Sequence, residues 1–397
     1  MIKREVSVEH LRRGMYVVEL DCPWLGTPFD FQGFPVTSDE QIELLKRHCK
    51  TVAVDPEREQ WRPEPPADQD GALLGSVVYE EVTPVESEVV VAREIFKSGE
   101  EAIKESFESF RRTGDIDVPR MTAAVSSMTE SIQRNPDAMM LLSSLRAKGS
   151  HEFGRSLDTS ILMVTFGRFL QYPKDRLETL GLAGMLLDVG KTKVPDEVLK
   201  KPDMLTPDEY ELAKAHVQHS LELIRRTEGL PRGLEEIVRL HHERQDGTGY
   251  PHGLSGPDIS IDGALAAIVD SFSALTSSRC YAPQTAPSDA LSLLHKMRGT
   301  LYHEALVEQF IQCIGIYPVG SVVELNTGEV GIVIAQNLVR RLQPRVMVIL
   351  DSKKTQLATQ TILDLVREPR DATGAPYRIR RTLAKEQLPL DPSEFFL

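Results

Sequence analysis

The chain has 397 residues, enough for two or three domains rather than one small core. Its 59 acidic side chains outnumber 46 basic ones, for a net charge of −13 with the basic residues scattered, which argues against non-specific DNA binding. Four cysteines without C-x-x-C spacing argue against a disulfide framework or zinc knuckle, and no apolar run reaches transmembrane length.

Residues 1–57 are expected to form a small α+β module. Met15 to Leu20 reads as a strand, Ser38 to Lys50 as a capped helix, and Thr51 to Asp55 as a second strand. The start at Met1-Ile2-Lys3-Arg4-Glu5 has no following hydrophobic region, so no signal peptide is expected, and with the cysteine usage this points to the cytoplasm. Residues 58–87, rich in Pro, Glu, Asp and Gly, read as a linker. Helical periodicity dominates from 88 to 315, with two or three helices before residue 148 whose charged positions are expected on solvated faces.

Several helices can be oriented from their own neighbours. Arg155, Thr159, Leu162, Met163 and Phe166 share one stripe, so Arg155 should face the core. Leu177, Leu180, Gly181, Gly184 and Asp188 keep the same period and turn Asp188 inward, with Gly190 expected to end that helix. Thr206-Pro207-Asp208-Glu209 is a capping box opening a helix whose inner stripe is Ala213, His216, Val217, Ser220 and Ile224. Asp270 lies in Leu265 to Phe272, apolar nearly all round and hence a central helix, where an ionised carboxylate needs a cation. From Tyr317 the period changes to two, giving a small antiparallel β unit over 316–367 with strands at Ser321 to Leu325, Val330 to Ala335 and Arg345 to Leu350. Residues 368–397 are expected to be a charged tail.

The richest chemistry is in His241-His242-Glu243-Arg244-Gln245-Asp246-Gly247-Thr248-Gly249-Tyr250-Pro251. Leu234, Ile237 and Val238 put His241 on their buried face, and His242 can reach the same cavity. A lone core histidine is usually satisfied by a carbonyl, but two adjacent imidazoles before a tight Gly-rich turn point to a metal site.

This stretch resembles the H-H-E-x-x-D-G-x-G-Y-P signature of the HD-GYP family, bacterial metal-dependent phosphodiesterases that hydrolyse cyclic di-GMP, and matches every fixed position. The resemblance extends over roughly residues 140 to 315. Leu187-Asp188-Val189-Gly190-Lys191 stands at the family's H-D-x-G-K motif, Pro195 to Leu205 with Glu209 and His216 follow its next helix, and Asp270 to Thr276 with Arg279-Cys280-Tyr281 are similar to D-x-F-D-A-L-T and R-x-Y. Residues 1–57, with Gly14-Met15-Tyr16-Val17, Trp24 and Pro28-Phe29, look like the domain of unknown function that often precedes HD-GYP domains. The implied fold is mainly α, an HD-superfamily helical bundle with a small α+β N-terminal module and a short C-terminal antiparallel β unit.

Departures from the pattern identify a degenerate member. Arg155 stands at the family's first histidine, Leu187 at the histidine of the H-D pair, and Ser273 at the second acid of its segment. The resemblance assigns a second metal position to Asp188, His216, His241 and His242, with Asp270 nearby, and this donor set suits one Fe, Mn or Zn ion or survives without metal as a polar core. Arg155 is expected to pair with Asp188, Asp270 or both. At an effective dielectric of about 20, a dication about 4 Å from a guanidinium is repelled by roughly 8 kcal/mol, so the first metal position should be taken by this bridge. The resemblance gives Asp188 and Lys191 catalytic roles and makes Lys191 and, more weakly, Arg279 phosphate contacts. Lys191 could equally face a helix dipole, and Tyr250 could stack on guanine or pack the turn.

Three functional readings follow. The first is a regulator that binds cyclic di-GMP or a related guanine dinucleotide with lost or weak turnover, acting on a protein partner or as a homodimer. The second is a one-metal phosphodiesterase, and the third an interaction module without ligand. Absence of the first-position histidines favours the first reading, since two ions stabilise both the attacking and leaving oxygens and one cannot.

Overall fold

A computed structural model of the chain describes residues 3–11, 15–22, 34–36, 39–55, 73–146, 152–277 and 285–383. They divide into two compact units, residues 1–64 with 337–341, and the remainder. The first unit contains β1 (Arg4–Ser7), β2 (Tyr16–Leu20), β3 (Phe34–Pro35), α1 (Asp39–His48) and β4 (Thr51–Val54). Its sheet is antiparallel in the order β1-β4-β2-β3. Alternation along β4 turns Val52 and Val54 inward, where they meet Val17 and, from α1, Leu45. Trp24, Pro28, Phe29 and Ser38 lie outside the described residues.

The second unit begins with α2 (Val85–Thr113), α3 (Val118–Arg134), α4 (Pro136–Leu145), α5 (Glu152–Phe169) and α6 (Lys174–Leu186). It continues through α7 (Asp196–Leu199), α8 (Pro207–Lys214), α9 (His216–Arg226), α10 (Leu234–Leu240), α11 (Ile261–Thr276), α12 (Pro287–Met297) and α13 (Glu304–Ile314). The sheet that follows comprises β5 (Val322–Leu325), β6 (Val330–Ala335), β7 (Arg345–Leu350), β8 (Gln356–Asp364) and β9 (Ile379–Leu383), in the antiparallel order β8-β7-β6-β5-β9. One continuous core runs from Phe96 and Phe107 through Phe166, Leu180 and Ile268 to Val322 and Ile332. The chain is thus mainly α, with the fold class its sequence implies. Among the described residues no helix is long and apolar enough to cross a membrane.

The expected linker over 58–87 ends early, since Leu73 and Val85 are buried in the core and α2 already begins at Val85, and the structure departs from the sequence reading at four further places. First, the expected single helix after the capping box is two: Thr206 and Glu209 do form the box, but α8 stops before Ala215 and His216 opens α9. There His216 Nδ1 donates to the Ala213 carbonyl at 2.7 Å, engaging an acceptor that an unbroken ladder would use. Second, Gly190 does not end α6; it sits inside a 3₁₀ turn, Val189–Lys193, that Asp188 precedes. Its role is close approach, because a Cβ there would lie 2.0 Å from the His216 carbonyl oxygen. Third, the acids before residue 148 are not all solvated. Glu88 is 2% exposed and holds Arg134 and Ser131, while Asp137, 6% exposed, accepts a hydrogen bond from the Gln336 backbone N–H at 2.9 Å.

The fourth departure is the tail. Ile379 to Leu383 pairs with β5, so the sheet extends well past residue 368. Its arginines hid the strand: Arg380 and Arg381 are exposed, only Ile379 and Leu383 are partly covered, and backbone pairing does the holding. Arg381 and Lys354 also converge on Glu324 of β5, at 2.6 and 2.7 Å.

Candidate metal and ligand site

Five elements bring the polar cluster together. α5 carries Arg155, the turn just after α6 carries Asp188, α9 opens on His216, His241 and His242 directly follow α10, and α11 contributes Asp270. The close approach at Gly190 seats the turn bearing Asp188 against the start of α9, where Ser220 Oγ donates to the Leu187 carbonyl at 3.0 Å and accepts from the Gly190 N–H at 2.9 Å. Leu187 is 1% exposed and packs in the core, where no metal-ligating atom is offered.

Arg155 reaches both carboxylates. Its Nη1 donates to Asp188 Oδ2 at 3.1 Å, and its Nη2 pairs with Asp270 Oδ1 and contacts the Asp270 carbonyl at 3.4 Å. Lys191 Nζ adds a second cation on Asp188 Oδ2, at 2.6 Å. Burial alone would push the Asp188 carboxyl upward, but Lys191, Arg155 and the neighbouring imidazoles overcome it and hold the group well below the usual carboxylate range. At the position of Ser273 the polar demand is met by hydroxyls, since Thr159 Oγ1 lies 3.0 Å from Ser273 Oγ and joins α5 to α11.

The imidazole side has a different character. His216 Nδ1 and His241 Nδ1 donate to the carbonyls of Ala213 and Val238, at 2.7 and 2.6 Å, which fixes both tautomers and leaves each Nε2 a bare acceptor. Burial pulls His216 down to about 4 and also lowers His241 and His242, so all three rings are neutral at pH 7. His242 Nδ1 lies 4.0 Å from Asp270 Oδ2. Donor atoms of Asp188, His216, His241 and His242 all fall within 4.8 Å of one another.

Those residues fit one divalent ion. His216 Nε2, His241 Nε2 and Asp188 Oδ1 are buried and make no hydrogen bond, although His216 Nε2 and Asp188 Oδ1 lie 3.4 Å apart. Three uncharged or anionic acceptors converging without a donor is the arrangement a cation satisfies. The bridge uses the opposite oxygen of Asp188, leaving Oδ1 to the imidazole side. A second ion by the guanidinium is disfavoured by their like charge.

The loop after the histidines is built on a residue that sequence reasoning assigned no role. Glu243, 1% exposed, accepts backbone hydrogen bonds from His252 at 2.7 Å and Leu254 at 3.0 Å, folding the Gly-rich segment back onto the end of α10. Its place between two histidines and a tight turn was the available signal. Gly249 is obligatory because a Cβ would lie 2.5 Å from Glu243 Cα. The fold stacks Tyr250 on His242, with centroids 4.5 Å apart, and the Lys214 ammonium lies over the Tyr210 and Tyr250 rings at 5.0 and 5.7 Å. Arg279 lies outside the described residues.

Comparison with known proteins agrees with this architecture. The HD domain family matches residues 139–306, a domain of unknown function (DUF3391) matches 3–121, and a KOW domain associated with HD domain matches 322–370. The chain is 30% identical over 373 residues to the cyclic di-GMP phosphodiesterase PA4108 of Pseudomonas aeruginosa, covering 92% of this chain and 90% of that protein. A cyclic di-GMP phosphodiesterase of Thermotoga maritima is 39% identical over 132 residues, 33% of this chain and 36% of that protein. The cyclic di-GMP phosphodiesterase response regulator RpfG of Xanthomonas campestris is 34% identical over 140 residues, 35% of this chain and 37% of that protein. Among solved structures, Bd1817, an HDG"Y"P protein from Bdellovibrio bacteriovorus, aligns with a TM-score of 0.47 at 15% identity, over 78% of this chain and 98% of that one. A helical bundle carrying a converging His/Asp cluster defines a candidate metal-centred domain. With a relative alike over nearly the full length of both chains, this protein belongs to the HD-GYP family.

Proposed function

We propose that this chain is a degenerate HD-GYP protein of cyclic di-GMP signalling, which binds cyclic di-GMP or a related guanine dinucleotide and regulates a partner with lost or weak phosphodiesterase activity. One observation carries the reading: the Arg155 guanidinium spans Asp188 and Asp270, and the resemblance sets Arg155 at the family's first histidine. The ligand class comes from relatives named as cyclic di-GMP phosphodiesterases. In this reading Lys191 contacts a ligand phosphate while keeping Asp188 ionised, and Tyr250 offers an aromatic surface to a guanine.

A second reading, a one-metal phosphodiesterase, is favoured by the buried acceptors of His216, His241 and Asp188 that lack hydrogen bonds. An Fe, Mn or Zn ion held by Asp188, His216, His241 and His242 would supply Lewis-acid polarisation of a phosphate and acidify water. Lys191 would then orient the phosphate while Asp188 helps to hold the ion, and neutral imidazoles would keep the donor side free of competing protons.

The two readings separate in one set of measurements on the purified chain. Elemental analysis is expected to return at most one transition-metal ion per chain, calorimetry to detect cyclic di-GMP, and assays supplemented with Fe, Mn or Zn to give little hydrolysis. Two or more ions per chain overturn the assignment of the first position to the Arg155 bridge, and efficient turnover favours the second reading. No binding of the dinucleotide leaves an interaction module. Arg155→His combined with Leu187→His is expected to raise the metal content above that of the wild type.

A further inference from the structure

The N-terminal unit contains a pair of thiols that the site above does not use. Cys22 lies just beyond β2 and Cys49 just beyond α1, with their sulfurs 3.5 Å apart. The two are unequal: Cys49 is 6% exposed and belongs to the core of the unit, whereas Cys22 is half-buried at its margin. Beside them stands Asp21, with donor atoms of all three residues within 4.8 Å of one another. Its Oδ2 accepts from the backbone N–H groups of Lys50 and Thr51, at 2.8 and 2.9 Å, so the segment following Cys49 is fastened beside the residue preceding Cys22.

We propose that Cys22 and Cys49 are a reversible dithiol–disulfide site, oxidised by low-molecular-weight hydroperoxides. Cys22 is the attacking thiol because it alone reaches the margin. Its thiolate sulfur attacks a peroxide oxygen; the S–O bond forms, the O–O bond breaks, and the departing hydroxide or alkoxide leaves as water or alcohol after taking a proton. The Cys49 sulfur then attacks the Cys22 sulfenic acid; the S–S bond forms, the S–O bond breaks, and hydroxide leaves as water with the proton that Cys49 gives up. Two thiols lose two electrons together and the peroxide gains them.

Geometry supports this pairing over two simpler ones. Two thiols packed only as small apolar groups would not need a carboxylate tied to the backbone beside them, with donor atoms of all three within 4.8 Å. That carboxylate, the Cys22 thiol and above all burial keep the Cys49 thiol protonated, pushed up to about 12, which makes it the resolving rather than the attacking member. A structural zinc site takes four protein ligands, and among the described residues no fourth donor joins Asp21, Cys22 and Cys49. Disulfide formation requires the sulfurs to close from 3.5 Å to about 2.0 Å, within reach of side-chain rotation, while Asp21 holds the flanking backbone. Cys313, in the other unit, lies against the Thr165 carbonyl and has no thiol beside it among the described residues.

The experiment treats the full-length reduced chain with hydrogen peroxide, alkylates remaining thiols under denaturing conditions, and maps peptides by mass spectrometry. The expected result is a Cys22–Cys49 disulfide, a fall from four alkylated thiols to two, and return to four after dithiothreitol. Cys49→Ser should stop the reaction at a Cys22 sulfenic acid that a dimedone probe captures, and Cys22→Ser should leave Cys49 unoxidised. Recovery of both cysteines alkylated after peroxide overturns the proposal, as does a disulfide between chains. Stoichiometric zinc uptake by the reduced pair, shielding it from peroxide, also overturns it. Should either serine variant fail to fold, the reversible mapping on the wild-type chain still decides.

Discussion

Two aspartates of the helical unit, Asp137 buried and Asp188 partly so, meet opposite fates. Asp188, in the metal-type pocket, is held far below its ordinary range by Lys191 and Arg155 despite burial. Asp137, where α4 meets the end of β6, has one backbone N–H at hydrogen-bond distance and more distant Arg168 and Arg345; burial, reinforced by Glu81, pushes it up to about 7. Both sites remove a carboxyl from water, so the difference lies in what was brought to meet it. A carboxylate stays ionised in this interior where a cation has been fixed directly against it, and in the pocket Arg155 serves as that cation.

The largest expected effect comes from the junction. The Asp137 carboxyl has its folded value raised to about 7 from an ordinary 3.8, so its stabilising contribution is complete below pH 4 and is lost as pH rises towards 7. The loss is on the order of 4 kcal/mol over that window, and Asp137→Asn should flatten the slope in urea titrations at stepped pH. Equal slopes for the two proteins would break the comparison at its junction end. Next in size, Arg155→Met should destabilise chelator-treated protein by about 3 kcal/mol, because Asp270 loses its ion-pair partner and Asp188 keeps only Lys191. Added Mn²⁺ should restore much of that loss, a sharper statement that the guanidinium occupies a cation's position; unchanged stability with and without the ion would sink it. The smallest effect is expected at Glu243→Gln, about 2 kcal/mol through weaker bonds to the His252 and Leu254 N–H groups. Limited proteolysis within residues 244–254 should rise with it, while the Arg155 bridge is left in place.

Much of the site was legible because helical periodicity is local. The inward faces of Arg155 and His241 follow from neighbours at helical spacing, while Asp188 and His216 were expected to face inward on helices that end or break beside them; the structure brings all four side chains into one pocket. Pairing of Arg155 with Asp188, Asp270 or both was expected from charge and burial once the family resemblance had put the three residues at one site. What failed to show depends on contacts distant in sequence. Glu88 and Asp137 looked like solvent-facing acids until Arg134 and the Gln336 backbone arrived to cover them. β9 looked like a charged tail because its pairing partner, β5, lies more than fifty residues upstream and its arginines face water. Gly190 resembled a helix stop, yet its missing side chain is required by the His216 carbonyl on another helix.

The Arg155 bridge joins positions 33 and 115 residues away along the chain through one side chain. A transition-metal ion in that place would come and go with the cell's supply, and the helices it gathers would loosen during scarcity. A guanidinium is attached to the backbone from the moment of synthesis and cannot be chelated away. This half of the pocket is therefore closed by charged groups that the chain itself carries.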